Sequence, residues 1–146
     1  MNKFVVLFFL FLSDLVNAST FEVKLGPPSV GLGGPNPISM PPINFLDYEF
    51  TYVTEGNWEY SLAAVPGLTF GKRIYMDNYY AALGSGLFLS SDGAGFGCYS
   101  ALGLNSTANK KSKSLGYVAE YKQSLAFNAY GLIMSYAIRL GLAYKF

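Results

Sequence analysis

The last eleven residues of the chain alternate in character. From 136 to 146 the even positions are Tyr136, Ile138, Leu140, Leu142, Tyr144 and Phe146, and the odd ones are Ala137, Arg139, Gly141, Ala143 and Lys145. A helix turns about 100° per residue and would scatter both sets around its circumference, whereas a strand sends successive side chains to opposite faces. The segment must therefore be a β-strand, with one apolar face ended by aromatics and one small, basic face. Ten steps along a strand cover roughly 33 Å, or about 24 Å at a tilt near 45°.

That height is close to the apolar band of a transmembrane barrel, roughly 25 Å between two aromatic girdles. Composition points the same way. The chain is 51% hydrophobic and 17% aromatic, yet after residue 18 no apolar run approaches the roughly 20 residues of a membrane helix. Placing an apolar residue at every second position of many strands reconciles the two. The expected fold is all-β: a closed, antiparallel, up-and-down transmembrane barrel of eight strands, the minimum for single-chain bacterial barrels.

Residues 1–18 are set apart. A basic start at Lys3, a nine-residue apolar run from Phe4 to Leu12 and a small-residue exit at Val16, Asn17 and Ala18 have the layout of a secretory signal peptide. Cleavage is expected after Ala18, leaving 19–146 as a single barrel domain. Lys3 and Asp14 leave with the signal, so ten basic and nine acidic residues become nine and eight, and the net charge stays at +1. Such a balance advertises no nucleic-acid surface.

Further alternating segments run through Leu46, Tyr48, Phe50 and Tyr52, and through Trp58, Tyr60 and Leu62, with Glu55, Gly56 and Asn57 as the hairpin between them. Others cover 68–75, 79–90, 95–104 and 115–128, the last readable as one strand or as two broken near Gln123 and Ser124. Phe21, Val23 and Leu25 alternate with Glu22 and Lys24 and favour a first strand there, although eight strands after residue 45 are also compatible. The stretch 26–42 carries six prolines and is expected to be an irregular loop or a plug. The segment 105–114, with Lys110, Lys111 and Lys113, reads as a solvated loop.

The final strand, with alternating hydrophobics, an aromatic two residues before the end and a terminal Phe, resembles the assembly signal of bacterial outer-membrane proteins. The whole is similar to small barrels of the OmpA membrane domain, OmpX and OmpW types. The resemblance implies export through the periplasm of a Gram-negative bacterium, outer-membrane lipid as surroundings, and the barrel-assembly machinery as a partner. That machinery would read Leu140, Leu142, Tyr144 and Phe146.

Histidine is absent and cysteine is limited to Cys98. This removes His-based triads, most zinc sites and internal disulfides; no enzyme, cofactor or metal is expected, and carboxylate-only chemistry would fall to Asp47, Glu49 and Glu59. The run from Gly93 to Gly97 lacks the Lys-Ser/Thr of a phosphate-binding loop. Asn105, Ser106 and Thr107 form a glycosylation sequon, read as polar surface loop, and Cys98 as a small membrane-facing or packed residue.

Glu49, Glu59, Glu120, Lys122, Arg139 and Lys145 lie opposite the apolar stripes and are expected to face the lumen or the rims. They could form a charged pore or a plug of mutually satisfied ion pairs; an eight-stranded interior is just wide enough for its own side chains. The favoured function is a structural or surface-interaction barrel with a filled lumen. Alternatives are passive transport of a small or apolar solute, and a soluble periplasmic lipocalin-like barrel, which would keep its aromatics inside.

Overall fold

The computed structural model describes residues 18–27, 30–33, 47–63, 67–90, 93–128 and 131–146, and every regular element in them is a β-strand. In chain order these are β1 (Ala18–Gly26), β2 (Val30–Gly33), β3 (Asp47–Thr54), β4 (Trp58–Ala63), β5 (Gly67–Met76), β6 (Tyr79–Ser90), β7 (Gly93–Asn105), β8 (Ser114–Asn128) and β9 (Gly131–Lys145). From β3 to β9 each strand pairs antiparallel with the next, and β1 hydrogen-bonds to both β3 and β9, which closes the sheet. β2 continues the line of β1 along β9, with Leu25 opposite Leu140 and Val30 opposite Tyr136. Nine segments thus make eight staves, the first beginning in the Phe21, Val23, Leu25 segment.

The register fixes the size. From Phe21, hydrogen-bonded neighbours lead through Tyr52, Tyr60, Phe70, Ser85, Cys98, Leu125 and Met134 and return to the first stave at Leu32. The return is eleven residues on. One of these is an extra residue between β1 and β2, where five steps from Leu25 to Val30 oppose four from Leu140 to Tyr136. A stagger of ten over eight strands corresponds to a tilt of about 40° and a backbone radius of about 8 Å.

Three local expectations need correction. Gly26 ends β1, and Val30–Gly33 within the proline-rich stretch is strand; its Val-Gly-Leu-Gly sequence has no proline, so its amides are free to pair with β9. Residues 28–29 and 34–46, with Leu46, lie outside the described residues, as do the expected signal 1–17 and the 91–92 turn. β9 begins at Gly131 rather than Tyr136, its start hidden by apolar Ile133 on the otherwise small and charged face. Asn105 is the last residue of β7 and fully buried, not part of a surface loop. β8 runs unbroken; polar Gln123 on its apolar face is what interrupted the pattern.

The two faces of the wall are opposite in chemistry. Large apolar side chains such as Ile74, Leu83, Leu102, Leu115, Ile138, Leu140 and Leu142 point outward and are at least 60% exposed. The inward positions hold charged, hydroxyl and small residues, and the most deeply buried large side chains include Arg73, Arg139, Lys24 and Glu22. Most aromatics are outside, with Tyr80, Phe88 and Tyr99 as buried exceptions, the reverse of what a lipocalin-like barrel requires.

Candidate functional site

Period-2 geometry alone sends Glu22 and Lys24 from β1, Asp47 and Glu49 from β3, Glu59 from β4, Arg73 from β5, Glu120 and Lys122 from β8 and Arg139 from β9 into one interior. All are at most 4% exposed. Burying isolated charges at this depth would be prohibitive, so each must find an opposite partner and further hydrogen bonds.

The partners form two clusters joined through Lys24 and Glu120. Toward the end where β1 starts and β9 finishes, the Arg73 guanidinium makes a forked contact with Glu22, Nη1 to Oε1 at 2.6 Å and Nη2 to Oε2 at 2.8 Å. Its Nε donates to Glu59, its Nη1 to the Tyr75 hydroxyl at 3.2 Å, and its flat face lies 4.1 Å from the centre of the Tyr80 ring. Asn105 Nδ2 donates to Glu22 at 2.7 Å. Toward the other end, Arg139 grips Asp47 at 2.6 Å and Glu49 at 2.7 Å, and Lys122 Nζ donates to Glu49 at 2.9 Å. Lys24 Nζ lies between, 2.6 Å from Glu49, 2.8 Å from Glu120 and 3.5 Å from Glu22.

Tyrosines complete the filling. Tyr80 donates to Glu120 at 2.6 Å and Tyr99 donates to Glu59, while Lys122 Nζ sits 4.3 Å from the centre of the Tyr99 ring. Both rings lie over glycines. A Cβ on Gly103 would stand 2.3 Å from the Tyr80 ring, and one on Gly71 2.1 Å from the Tyr99 hydroxyl. Among the described residues, two buried carboxylate oxygens, Asp47 Oδ1 and Glu120 Oε1, have no hydrogen-bond donor, although Glu120 Oε1 is 3.7 Å from the Arg139 guanidinium.

The segment 106–113 covers the mouth at the Arg73 end. Asn105 Oδ1 accepts from the backbone N–H of Thr107 at 2.8 Å and from its hydroxyl at 2.7 Å, and Thr107 is 1% exposed. Lys145 Nζ, at the rim, donates to the carbonyl of Ala108 at 3.0 Å. The sequon asparagine therefore holds the cap onto the charged network.

Glu49, Glu59, Glu120, Lys122 and Arg139 come together in this one network, and Asp47 joins them. Glu22, Lys24, Arg73, Tyr80, Tyr99 and Asn105 are members that sequence reading did not single out. Parity held the signal for the charged ones, since Arg73 alternates against Phe70, Lys72 and Ile74 on an outward face. It could not flag the tyrosines, which are equally suited to a girdle. Leu140, Leu142, Tyr144 and Phe146 line the outer face of β9 and its end, at 65%, 60%, 39% and 53% exposure.

Chemically these interior charges neutralise one another. Asp47, Glu49 and Glu59 are each held by a cation, and no cluster of His, Cys, Asp or Glu among the described residues is arranged to hold a metal. Comparison with family models, with curated proteins and with solved structures finds no match.

Proposed function

We propose that the chain is an integral β-barrel of a bacterial outer membrane, exported behind its N-terminal segment. Its lumen is closed by its own side chains, and its role is structural or interactive. The observation that carries this reading is the inversion of the wall, with charges inside and apolar side chains outside. A soluble monomer seldom exposes a contiguous apolar patch beyond a few hundred Å². Here large apolar side chains are exposed on every stave of the barrel, broken by one small polar patch on β6 to β8, and hydrocarbon is the surroundings that match them.

Details of the outer face support the same reading. Tyr52, Trp58, Tyr79, Tyr117 and Tyr144 fall at similar heights near the end where β1 starts, and Phe96, Phe127 and Tyr136 lie toward the other. On β8 the ten steps from Tyr117 to Phe127 span about 25 Å of height at the barrel's tilt, the thickness of the apolar band. Lys72, a charged residue on this face, bends to the rim, where its Nζ donates to the carbonyl of Gly56 and lies 4.6 Å from the centre of the Trp58 ring. Long cationic side chains behave this way when their stems are in lipid.

Trp58 is the single tryptophan and is 40% exposed on the outer wall. On folding into phosphatidylcholine vesicles its emission is expected to shift to the blue and to be quenched by lipids brominated along their acyl chains. A chain recovered from cells wholly in the soluble fraction, with Trp58 insensitive to such lipids, would overturn the proposal.

A filled lumen makes a second prediction. The folded protein should carry no sustained current across a planar bilayer at moderate voltage. Steady ohmic channels would instead favour solute transport. Most connections are also short: 27–29, 55–57, 64–66, 77–78, 91–92 and 129–130 leave 34–46 and 106–113 as the longer segments between strands. With the lumen filled and 106–113 folded onto its mouth, the outer wall offers the largest surface for interaction.

A further inference from the structure

The outer wall has one interruption in its apolar cover. On β6, β7 and β8 the outward positions Ser85, Cys98, Ser100 and Gln123 are adjacent: Ser85 pairs with Cys98, Ser100 pairs with Leu83 and with Gln123. The wall dips here into a depression of about 310 Å³, whose floor includes Gly84 and the edge of Tyr99. Apolar outward residues surround it, with Leu87 and Phe96 above, Leu102 and Tyr121 below, Phe70 to one side and Met134 to the other.

The height of the patch decides what can meet it. Gln123 lies six residues from Tyr117 and four from Phe127 along β8, about 15 Å and 10 Å from those two aromatic levels. That is the middle of the apolar band, beyond the reach of lipid headgroups. A carboxamide brings two donors and an acceptor with two lone pairs, and the facing outward residues Ser100 and Tyr136 cannot satisfy them all. In hydrocarbon the remainder would be left unpaired, so such residues mark contacts with another membrane-spanning surface.

Resting on the membrane reading above, we propose that this patch is a self-association face. Two copies inserted in the same direction carry it at the same height, so a twofold axis parallel to the barrel axes brings each patch against its own counterpart. Carboxamides and hydroxyls are self-complementary, each able to donate and accept across such an axis. Gly84, Cys98 and the two serines are small enough to let the walls approach, as small residues do between membrane helices. Cys98, near the centre, then faces the Cys98 of the second copy.

The test uses the folded full chain in two ways. Sedimentation in density-matched detergent micelles should give a dimer for the natural sequence. A Gln123→Leu, Ser100→Val variant, whose wall suits lipid at least as well, should be a monomer. In membranes with lipid in large excess, copper-phenanthroline oxidation should link Cys98 into a species of twice the mass. The yield should be at least tenfold higher than for Cys98→Ser, Leu25→Cys, which places the thiol outward on β1.

A natural chain that sediments as a monomer would overturn the proposal, as would a double variant that dimerises equally well or a linked species of another mass. A monomer that remains in the membrane fraction with lipid-quenched Trp58 would leave the membrane reading standing. Recovery in the soluble fraction would remove both.

Discussion

Replacing Arg73 with methionine is expected to lower the stability of the folded barrel by about 3–5 kcal/mol, the cost of leaving buried charges without their partner. The guanidinium is the shared cation of Glu22 and Glu59, both at most 1% exposed, so the substitution strands two carboxylates. Arg73→Lys should fall between, because an ammonium cannot reproduce the two-pronged contact with Glu22 together with the third bond to Glu59. Changing Arg73→Met together with Glu22→Gln and Glu59→Gln should recover much of the loss, since removing a whole charged cluster is often close to neutral. Urea unfolding in vesicles, followed by Trp58 emission, reads all three. A loss under about 1 kcal/mol for Arg73→Met would mean that water reaches the interior and that the lumen is not filled.

Gly103→Ala is expected to destabilise by about 1–3 kcal/mol, a large effect for one methyl group. The added Cβ would meet the Tyr80 ring at 2.3 Å, while its three nearest contacts all belong to that ring rather than to backbone. Tyr80 must then tilt, loosening its bond to Glu120 and its stacking under Arg73. In a Tyr80→Ala background the same Gly103→Ala change should be neutral or slightly stabilising, because alanine restricts the unfolded chain more than glycine does. The sign reversal across the double-mutant cycle is the diagnostic result. Equal losses in both backgrounds would place the cost in the backbone and not in the ring.

Both predictions concern residues that were unevenly visible in the sequence. Arg139 could be expected to point inward because the even-numbered residues on either side of it, from Tyr136 to Phe146, are all large and apolar or aromatic. Arg73 was harder to place, with Lys72 beside it: two adjacent cations must point to opposite faces, and the pattern must say which is inside. The structure sends Arg73 to the lumen and Lys72 to the rim, where it can reach water. Tyr80 and Tyr99 were not legible as interior residues. Tyrosine suits a membrane girdle as well as a lumen, and only the glycines on neighbouring strands, brought beneath the rings by register, make room for them.

The register itself has a similar history. Alternation assigns faces but says nothing about which residue lies opposite which, so neither the stagger of ten nor the convergence of five carboxylates and four cations could be read in one dimension. The role of Asn105 follows from the same limitation. As sequence it is part of a sequon in a lysine-rich connection. In the fold it reaches Glu22, 83 residues away, and holds the segment 106–113 over the mouth.

Sequence alone determined that this chain forms strands with one apolar and one polar or small face, because a period of two is a property of neighbours along the chain. The closed eight-stranded barrel was an expectation built on that pattern, and the pairing of β1 with both β3 and β9 shows the closure. The final strand, Tyr136, Ile138, Leu140, Leu142, Tyr144 and Phe146 against small and basic residues, already displayed the two faces. Tertiary structure decided the rest: that the charged face is the inner one, that its charges neutralise one another, and that Ser85, Ser100 and Gln123 form one patch. Those are relations between staves, and only closure of the sheet brings residues so distant in sequence within reach of one another.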